Sequence, residues 1–235
     1  MKKYITSLSL ITILFCTSCA RPYYVEGSVD LYGYEGSDMG LFMFENSKFI
    51  KIDSAPVKHG KFYMTGTADT VMLVELCRGT EPIMPIFIEP GKIKISIKPS
   101  SLKVSGTEQN DLLYSFLEQK VVFDNRYEDL MQRRNRIVRI SGFSSSAFRE
   151  IEDSIAIIIT ETENLIVEFI KKNYNRPVGL GVFSMVCYAM PTPVVTPIVK
   201  RILDDAPENF MQQTFVKDFV ILSGYEPSGK KRKNR

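Results

Sequence analysis

The sequence contains no tryptophan and only one histidine, His59, among its 235 residues. His59 lies in the polar segment Lys58-His59-Gly60-Lys61, which reads as a turn, and a lone histidine there is typically a solvated residue. Metal centres need several converging ligands, and serine- or cysteine-type hydrolases need a base beside the nucleophile. We therefore predict no catalytic residue, no metal ligand and no cofactor-binding residue in this chain.

A strong charge bias is also missing, because 30 Lys and Arg residues nearly balance 27 Asp and Glu residues. Nucleic-acid-binding proteins carry a basic face or stripe. The composition therefore predicts no nucleic-acid partner.

The N-terminal apolar run is too short to span a bilayer. Lys2 and Lys3 precede an apolar stretch at residues 5–15, whereas a spanning helix needs about 20 residues. The segment Thr17-Ser18-Cys19 resembles a lipobox, although Cys16 stands where a Leu-like residue is usual. We predict a lipoprotein signal peptide at residues 1–18, diacylation of Cys19, and an anchor in the outer membrane. The periplasmic face is favoured over the cell surface, because no acidic run follows Cys19. An ordinary signal peptide is the alternative, and a redox role for the Cys16–Cys19 C-x-x-C pattern is disfavoured because no βαβ pattern lies near it.

Residues 19–24 are predicted as a tether, and residues 25–106 as an antiparallel β-sandwich. Ile93, Ile95 and Ile97 alternate with polar residues, as in a half-buried strand. Pro82 and Pro85 place their strand at a sheet edge or at a bulge. The turns contain Asn46-Ser47 and Gly60. The predicted strands cover residues 24–32, 41–45, 48–54, 62–66, 71–77, 83–89, 92–97 and 102–104.

Residues 107–222 are predicted as an all-helical module, so that the whole chain is of the α+β class. Thr107 is the expected N-cap of the first helix, accepting a backbone N–H. Gly179-Leu180-Gly181 is not a nucleotide-binding loop, because no strand precedes it. Residues 223–235 are predicted as a disordered basic tail. The predicted helices cover residues 107–139, 147–173, 178–190, 198–204 and 208–222.

Two features of the chain leave alternatives open. Arg133, Arg134, Arg136 and Arg139 are clustered, and they form either a solvated helix face, the favoured interpretation, or a contact for an anionic partner such as a lipid headgroup or a glycan. Cys77 and Cys187 are either separate buried thiols or a disulfide formed in an oxidising compartment.

Two segments carry a resemblance to a known family. They are Ile86-Phe87-Ile88-Glu89-Pro90-Gly91-Lys92-Ile93 and Val104-Ser105-Gly106-Thr107-Glu108-Gln109-Asn110-Asp111, supported by the hairpin Val57-Lys58-His59-Gly60-Lys61-Phe62. With the helical region, the chain from about residue 25 to 222 resembles the N-terminal domain of unknown function of Bacteroidetes-type lipoproteins. That domain usually precedes a TlpA/ResA-like thioredoxin domain with a Trp-Cys-x-x-Cys motif. Ser223-Gly224-Tyr225-Glu226-Pro227 and a basic tail follow here instead, so the oxidoreductase activity of the larger relatives does not transfer.

Two functional hypotheses follow. The first is a non-catalytic envelope lipoprotein, anchored in the membrane through Cys19, that binds a partner protein or an envelope ligand. The second is a redox accessory, or a remnant of a thiol-disulfide oxidoreductase, that uses Cys77 and Cys187 or a separate thioredoxin-type partner.

Overall fold

A computed structural model describes residues 21–45 and 48–226, which form two four-stranded sheets followed by a group of helices. This confirms the predicted α+β class, with an N-terminal β-sandwich and an all-helical region after it. The predicted signal peptide at residues 1–18, Cys19, the Asn46-Ser47 turn and residues 227–235 of the predicted tail lie outside the described residues.

The strands follow one another closely along the first part of the chain. They are β1 (Arg21–Val29), β2 (Asp38–Glu45), β3 (Lys48–Pro56), β4 (Lys61–Ala68), β5 (Met72–Arg78), β6 (Glu81–Ile88), β7 (Gly91–Lys98) and β8 (Ser101–Ser105). The helices are α1 (Glu108–Ser141), α2 (Ser146–Lys172), α3 (Pro177–Tyr188), α4 (Pro197–Asp204), α5 (Glu208–Met211) and α6 (Thr214–Ser223).

The first sheet has the strand order β4-β1-β7-β8 and the second has the order β3-β2-β5-β6. The sandwich was predicted to be antiparallel, but β1 and β7 pair in parallel, from Tyr23 opposite Gly91 to Val29 opposite Ile97. A parallel pair needs a long crossover connection. The strands between β1 and β7 in the chain supply it, and most of them belong to the second sheet.

The first sheet shows the alternation that the sequence predicts. Val25, Ile93 and Ile95 are buried between the sheets, whereas Tyr24 and Lys94 are exposed on the outer face. Each sheet therefore contributes one apolar face to a shared core.

Strands β5 and β6 of the second sheet are covered on both faces, because α3 packs against their outer side. A Cβ atom on Gly181 of α3 would lie 2.6 Å from the ring of Phe87 and 3.4 Å from Leu73. Gly181 therefore allows the helix to approach β5 and β6 closely. One hydrophobic core runs through the sandwich and the helices without a break.

Helices α1 and α2 form an antiparallel hairpin. The rings of Phe116 and Phe169 lie 4.5 Å apart, and farther along Arg126 Nη1 lies 3.2 Å from Glu161 Oε2. Because α1 has 34 residues, it is about 50 Å long. It therefore extends well past the sandwich. None of the helices within the described ranges has the length and apolar character needed to cross a membrane.

Three local predictions were wrong. Strand β1 begins at Arg21, inside the predicted tether. The side chain of Thr107 caps no backbone N–H of α1. The predicted helix 208–222 is interrupted between α5 and α6, where Gln213 has an extended backbone conformation. At this break the ring of Phe210 packs against both Tyr174 and Phe183, and Phe215 approaches Phe183 from the next helix.

Candidate functional site

The two segments that carry the family resemblance meet where α1 begins. Strand β6 is the last strand of its sheet, as its prolines predict, and a register shift lies in its pairing with β5. Asn110 covers the open edge of β6: its Oδ1 accepts from Phe87 N at 2.8 Å, and its Nδ2 donates to Phe87 O at 2.8 Å. One side-chain amide thus satisfies both backbone groups of Phe87, as a neighbouring strand would do.

Glu89 satisfies the N-terminus of α1 from the other side. Its Oε1 accepts from Gln109 N at 2.9 Å and from Asn110 N at 3.2 Å, and the residue is only 7% exposed. The first backbone N–H groups of a helix have no partner within the helix, and a negative charge is favourable there. Glu89 is therefore the cap of α1. The Thr107 hydroxyl instead accepts from Asn110 Nδ2 at 2.9 Å.

Neighbouring contacts extend this joint, by which we mean Glu89, Asn110 and their partners. Tyr114 lies one helical turn after Asn110, and its hydroxyl donates to Pro85 O at 2.9 Å, farther along the same open edge. Gln109 Oε1 accepts from Val178 N at 3.1 Å, which fixes the start of α3. The joint therefore sets the positions of α1 and α3 against the second sheet.

A cleft of about 1060 Å³ lies between the sandwich and the helices, on the side of Tyr114 away from the joint. It is bounded by β6, the β7–β8 turn, the α1 segment 114–124, the C-terminal half of α3 and the segment that leads into α4. Most of its lining is apolar. The floor includes Ile97, Phe116, Val182 and Val199, all of which are buried. A concave apolar site of this size is the usual form of a ligand-binding site.

The comparison with known families concerns the sandwich and the joint. Residues 23–113 match the family model of a domain of unknown function, DUF4369. The resemblance read from the sequence is thereby confirmed for this part of the chain. No curated protein and no solved structure matches the chain. The DUF4369 match includes Glu89 and Asn110 and ends just before Tyr114, so the cleft is bounded partly by the DUF4369 segment and partly by the helices that follow.

The two cysteines of the described residues are both buried free thiols. Cys187 lies in the wall of the cleft, where burial raises the pKa of its thiol to about 12. Cys77 lies on β5 within the DUF4369 segment, and burial, with a smaller effect of the nearby Glu75, raises its pKa as well. Since the thiolate is the reactive form, both side chains have the character of inert structural cysteines.

We expect the native thiols to react with Ellman's reagent at pH 8 more than about tenfold more slowly than the same thiols in guanidinium chloride, because burial suppresses the thiolate. The measurement is the release of the coloured thiolate from native and denatured protein. Two thiols that react fast in the native protein, or none in the denatured one, would support the redox hypothesis for Cys77 and Cys187.

Glu75 is a titratable group that sequence reasoning missed. It lies on β5 opposite Pro85 and faces the side of the sheet that the helices cover. Burial raises the pKa of its carboxyl, and its charge contributes to the raised pKa of Tyr114 in the cleft wall. Its position opposite Phe42 and Pro85 was not readable from the sequence, because it depends on the pairing of strands.

Glu75 should make the stability depend on pH. The folded-state pKa of Glu75 is above the ordinary value of 4.5, so folding favours the protonated carboxyl. The stability that this group contributes is complete below pH 4.5 and is lost as the pH rises through the folded-state pKa. We expect Glu75→Gln to be more stable than the wild type at pH 7 and to lose this advantage near pH 4. Urea unfolding at the two pH values checks this, with Glu81→Gln, an exposed residue at the start of β6, as the control. An equal effect of Glu75→Gln at both pH values would contradict it.

The remaining predicted residues lie away from the cleft. His59 is exposed in the turn before β4, with φ of 53°, and its backbone N–H donates to Glu35 Oε1 at 2.9 Å. Arg134 pairs with Glu152 and lies over the ring of Phe148, whereas Arg133, Arg136 and Arg139 are exposed. Across residues 21–45 and 48–226, no three His, Cys, Asp or Glu side chains gather in a metal-binding arrangement.

Proposed function

We propose that this protein is an envelope lipoprotein, anchored through Cys19, whose cleft binds an apolar ligand without catalysing a reaction on it. The observation that carries the binding role is the cleft of about 1060 Å³ with its apolar floor. The anchor is supported by the lipobox-like segment that ends at Cys19. Two or three acyl chains hold a protein stably at a membrane, because each buried CH₂ contributes about 0.8 kcal/mol.

The proposed anchor precedes the end of the sandwich that lies away from the cleft. Only Ala20 separates Cys19 from β1, so an acylated Cys19 keeps the Arg21 end of β1 close to the lipid surface. β1 has 9 residues and leads away from that end over roughly 25–30 Å. Its far end continues to Leu31, which lines the cleft together with Lys98 at the end of the parallel strand β7. This geometry supports a proposal in which the cleft faces the solvent, away from the anchoring membrane.

The same geometry bears on the arginine cluster. Helix α1 begins beside Gly91, which pairs with Tyr23 near the anchored end, and runs for about 50 Å towards the α1–α2 turn. Arg133, Arg136 and Arg139 lie in its last turns. Their distance from the anchor favours the solvated-face interpretation over contact with headgroups of the anchoring membrane.

The anchor is tested by metabolic labelling with palmitate. We propose that the wild type is labelled and that Cys19→Ala is not. An unlabelled wild type would contradict the proposed anchor. The proposed binding role of the cleft does not depend on this result.

The cleft is tested with a neutral apolar dye, N-phenyl-1-naphthylamine, whose fluorescence rises in an apolar site. Val121 lines the cleft and its neighbour Val122 does not, although both are exposed, at 53% and 57%. We expect Val121→Glu to weaken dye binding by roughly tenfold, because a carboxylate at the mouth must lose hydration when the dye enters.

Val122→Glu is the matched control and is expected to leave dye affinity unchanged. It places the same charge on the same helix but outside the cleft. Equal effects of the two substitutions, or no saturable binding by the wild type, would contradict the binding role.

A further inference from the structure

Several large apolar side chains are exposed to solvent at the mouth of the cleft. Leu102, Val121, Met190 and Val194 are 44%, 53%, 47% and 49% exposed, and all four line the cleft. They come from the start of β8, from α1 and from the segment after α3. Apolar side chains that gather from separate segments around one opening mark a surface that a ligand covers.

Charge is confined to the outer part of the lining. Lys98, Glu118, Lys120 and Asp124 are the charged side chains that line the cleft, and each of them is exposed or half-buried. The hydroxyl of the buried Tyr114 already donates a hydrogen bond to Pro85 O. The interior therefore suits an apolar chain, and a polar group of the ligand belongs at the rim.

One lysine at the rim of the cleft has no carboxylate partner among the described residues. Lys120 Nζ lies 2.8 Å from Asp124 Oδ1, and Lys103 just outside the cleft pairs with Glu118 at 2.9 Å. These pairs neutralise both acidic groups of the rim. Lys98, at the end of β7, makes no ion pair within the described ranges and lines the cleft together with Ser100 and Ser101.

We infer that the ligand is a single-chain fatty acid, with its hydrocarbon chain along the apolar floor and its carboxylate at Lys98. This assignment rests on the proposed binding role of the cleft and names the ligand class. The carboxylate fits because Lys98 is the rim charge left unpaired, and the hydroxyl groups of Ser100 and Ser101 in the cleft lining can donate to a carboxylate oxygen. The ligand is not the protein's own anchor, since Cys19 precedes the Arg21 end of β1 by two residues and the cleft lies beyond the Val29 end.

The experiment measures displacement of N-phenyl-1-naphthylamine by three ligands of equal chain length: tetradecanoate, tetradecanol and tetradecyltrimethylammonium, each below its aggregation concentration. The wild type should bind tetradecanoate about fivefold more tightly than tetradecanol, and the cation most weakly. Lys98→Met, which keeps the length of the side chain, should weaken tetradecanoate about fivefold and leave tetradecanol unchanged.

Lys94→Met is the control, because Lys94 lies on the same strand and on the same face, four residues before Lys98, but does not line the cleft. It should change neither affinity. If tetradecanoate and tetradecanol bind the wild type equally, or if Lys98→Met and Lys94→Met act alike, the fatty-acid assignment fails while the cleft remains a binding site. If neither the dye nor any of the three ligands binds, the proposed function fails with it.

Discussion

Replacing Asn110 with alanine is expected to lower the free energy of unfolding by about 3 kcal/mol. The Asn110 side chain is fully buried and makes hydrogen bonds with Phe87 N, Phe87 O and Thr107 Oγ1. Alanine leaves the donor and the acceptor of Phe87 without partners in a site that excludes water. The expected fall in melting temperature is roughly 6–12 °C for a chain of this size.

Asn125→Ala is the control for this substitution. Asn125 is exposed on the same helix, and alanine has the higher helix propensity, so we expect a change within about 0.5 kcal/mol, towards higher stability. The measurement is urea-induced unfolding followed by circular dichroism. If Asn110→Ala were as stable as Asn125→Ala, the side chain would not hold the edge of β6.

Replacing Glu89 with alanine is expected to cost about 2 kcal/mol, because the buried carboxylate accepts two backbone N–H groups at the N-terminus of α1. Glu89→Gln keeps an acceptor oxygen but loses the charge, so it should recover part of this loss. The amide protons of Gln109 and Asn110 should exchange with solvent faster in Glu89→Ala.

Glu81→Ala is the matched control, since Glu81 begins the same strand and is exposed. It is expected to leave both the stability and the exchange of these two amides unchanged. Slow exchange at Gln109 and Asn110 in Glu89→Ala would show that another group caps α1.

The sandwich was predictable because local sequence patterns determine its strands. The alternation of Ile93, Ile95 and Ile97 with polar residues places β7 between a core and the solvent, and Pro82 and Pro85 mark β6 as an edge. The parallel pairing of β1 with β7 was not predictable in this way. It depends on where β1 enters the sheet, and no local pattern specifies that.

The joint shows the same limit at the level of single residues. Thr107 has the right chemistry and position for an N-cap, but Glu89, which directly follows β6, reaches the same N–H groups from 20 residues earlier in the chain. The hydroxyl of Thr107 is then free to accept from Asn110. Local propensity identifies where α1 begins, and tertiary contacts decide which side chain caps it.

The cleft was out of reach of sequence reasoning. Leu31, Leu102, Val121 and Met190 are far apart in the chain and come together only through the docking of α1 and α3 on the second sheet. Their apolar character fits an ordinary core equally well. Their exposure, which distinguishes a binding surface from a core, is known only from the fold.

The most direct test of the binding role is a titration of the ¹⁵N-labelled protein with N-phenyl-1-naphthylamine, followed by the backbone amide shifts. We expect the shifts to change at Leu102, Val121 and Val186, which line the cleft, and to stay constant at Tyr63 and Lys94 on the outer face of the first sheet. Changes on that outer face, or none at the cleft at saturating dye, would contradict the assignment of the cleft as the binding site.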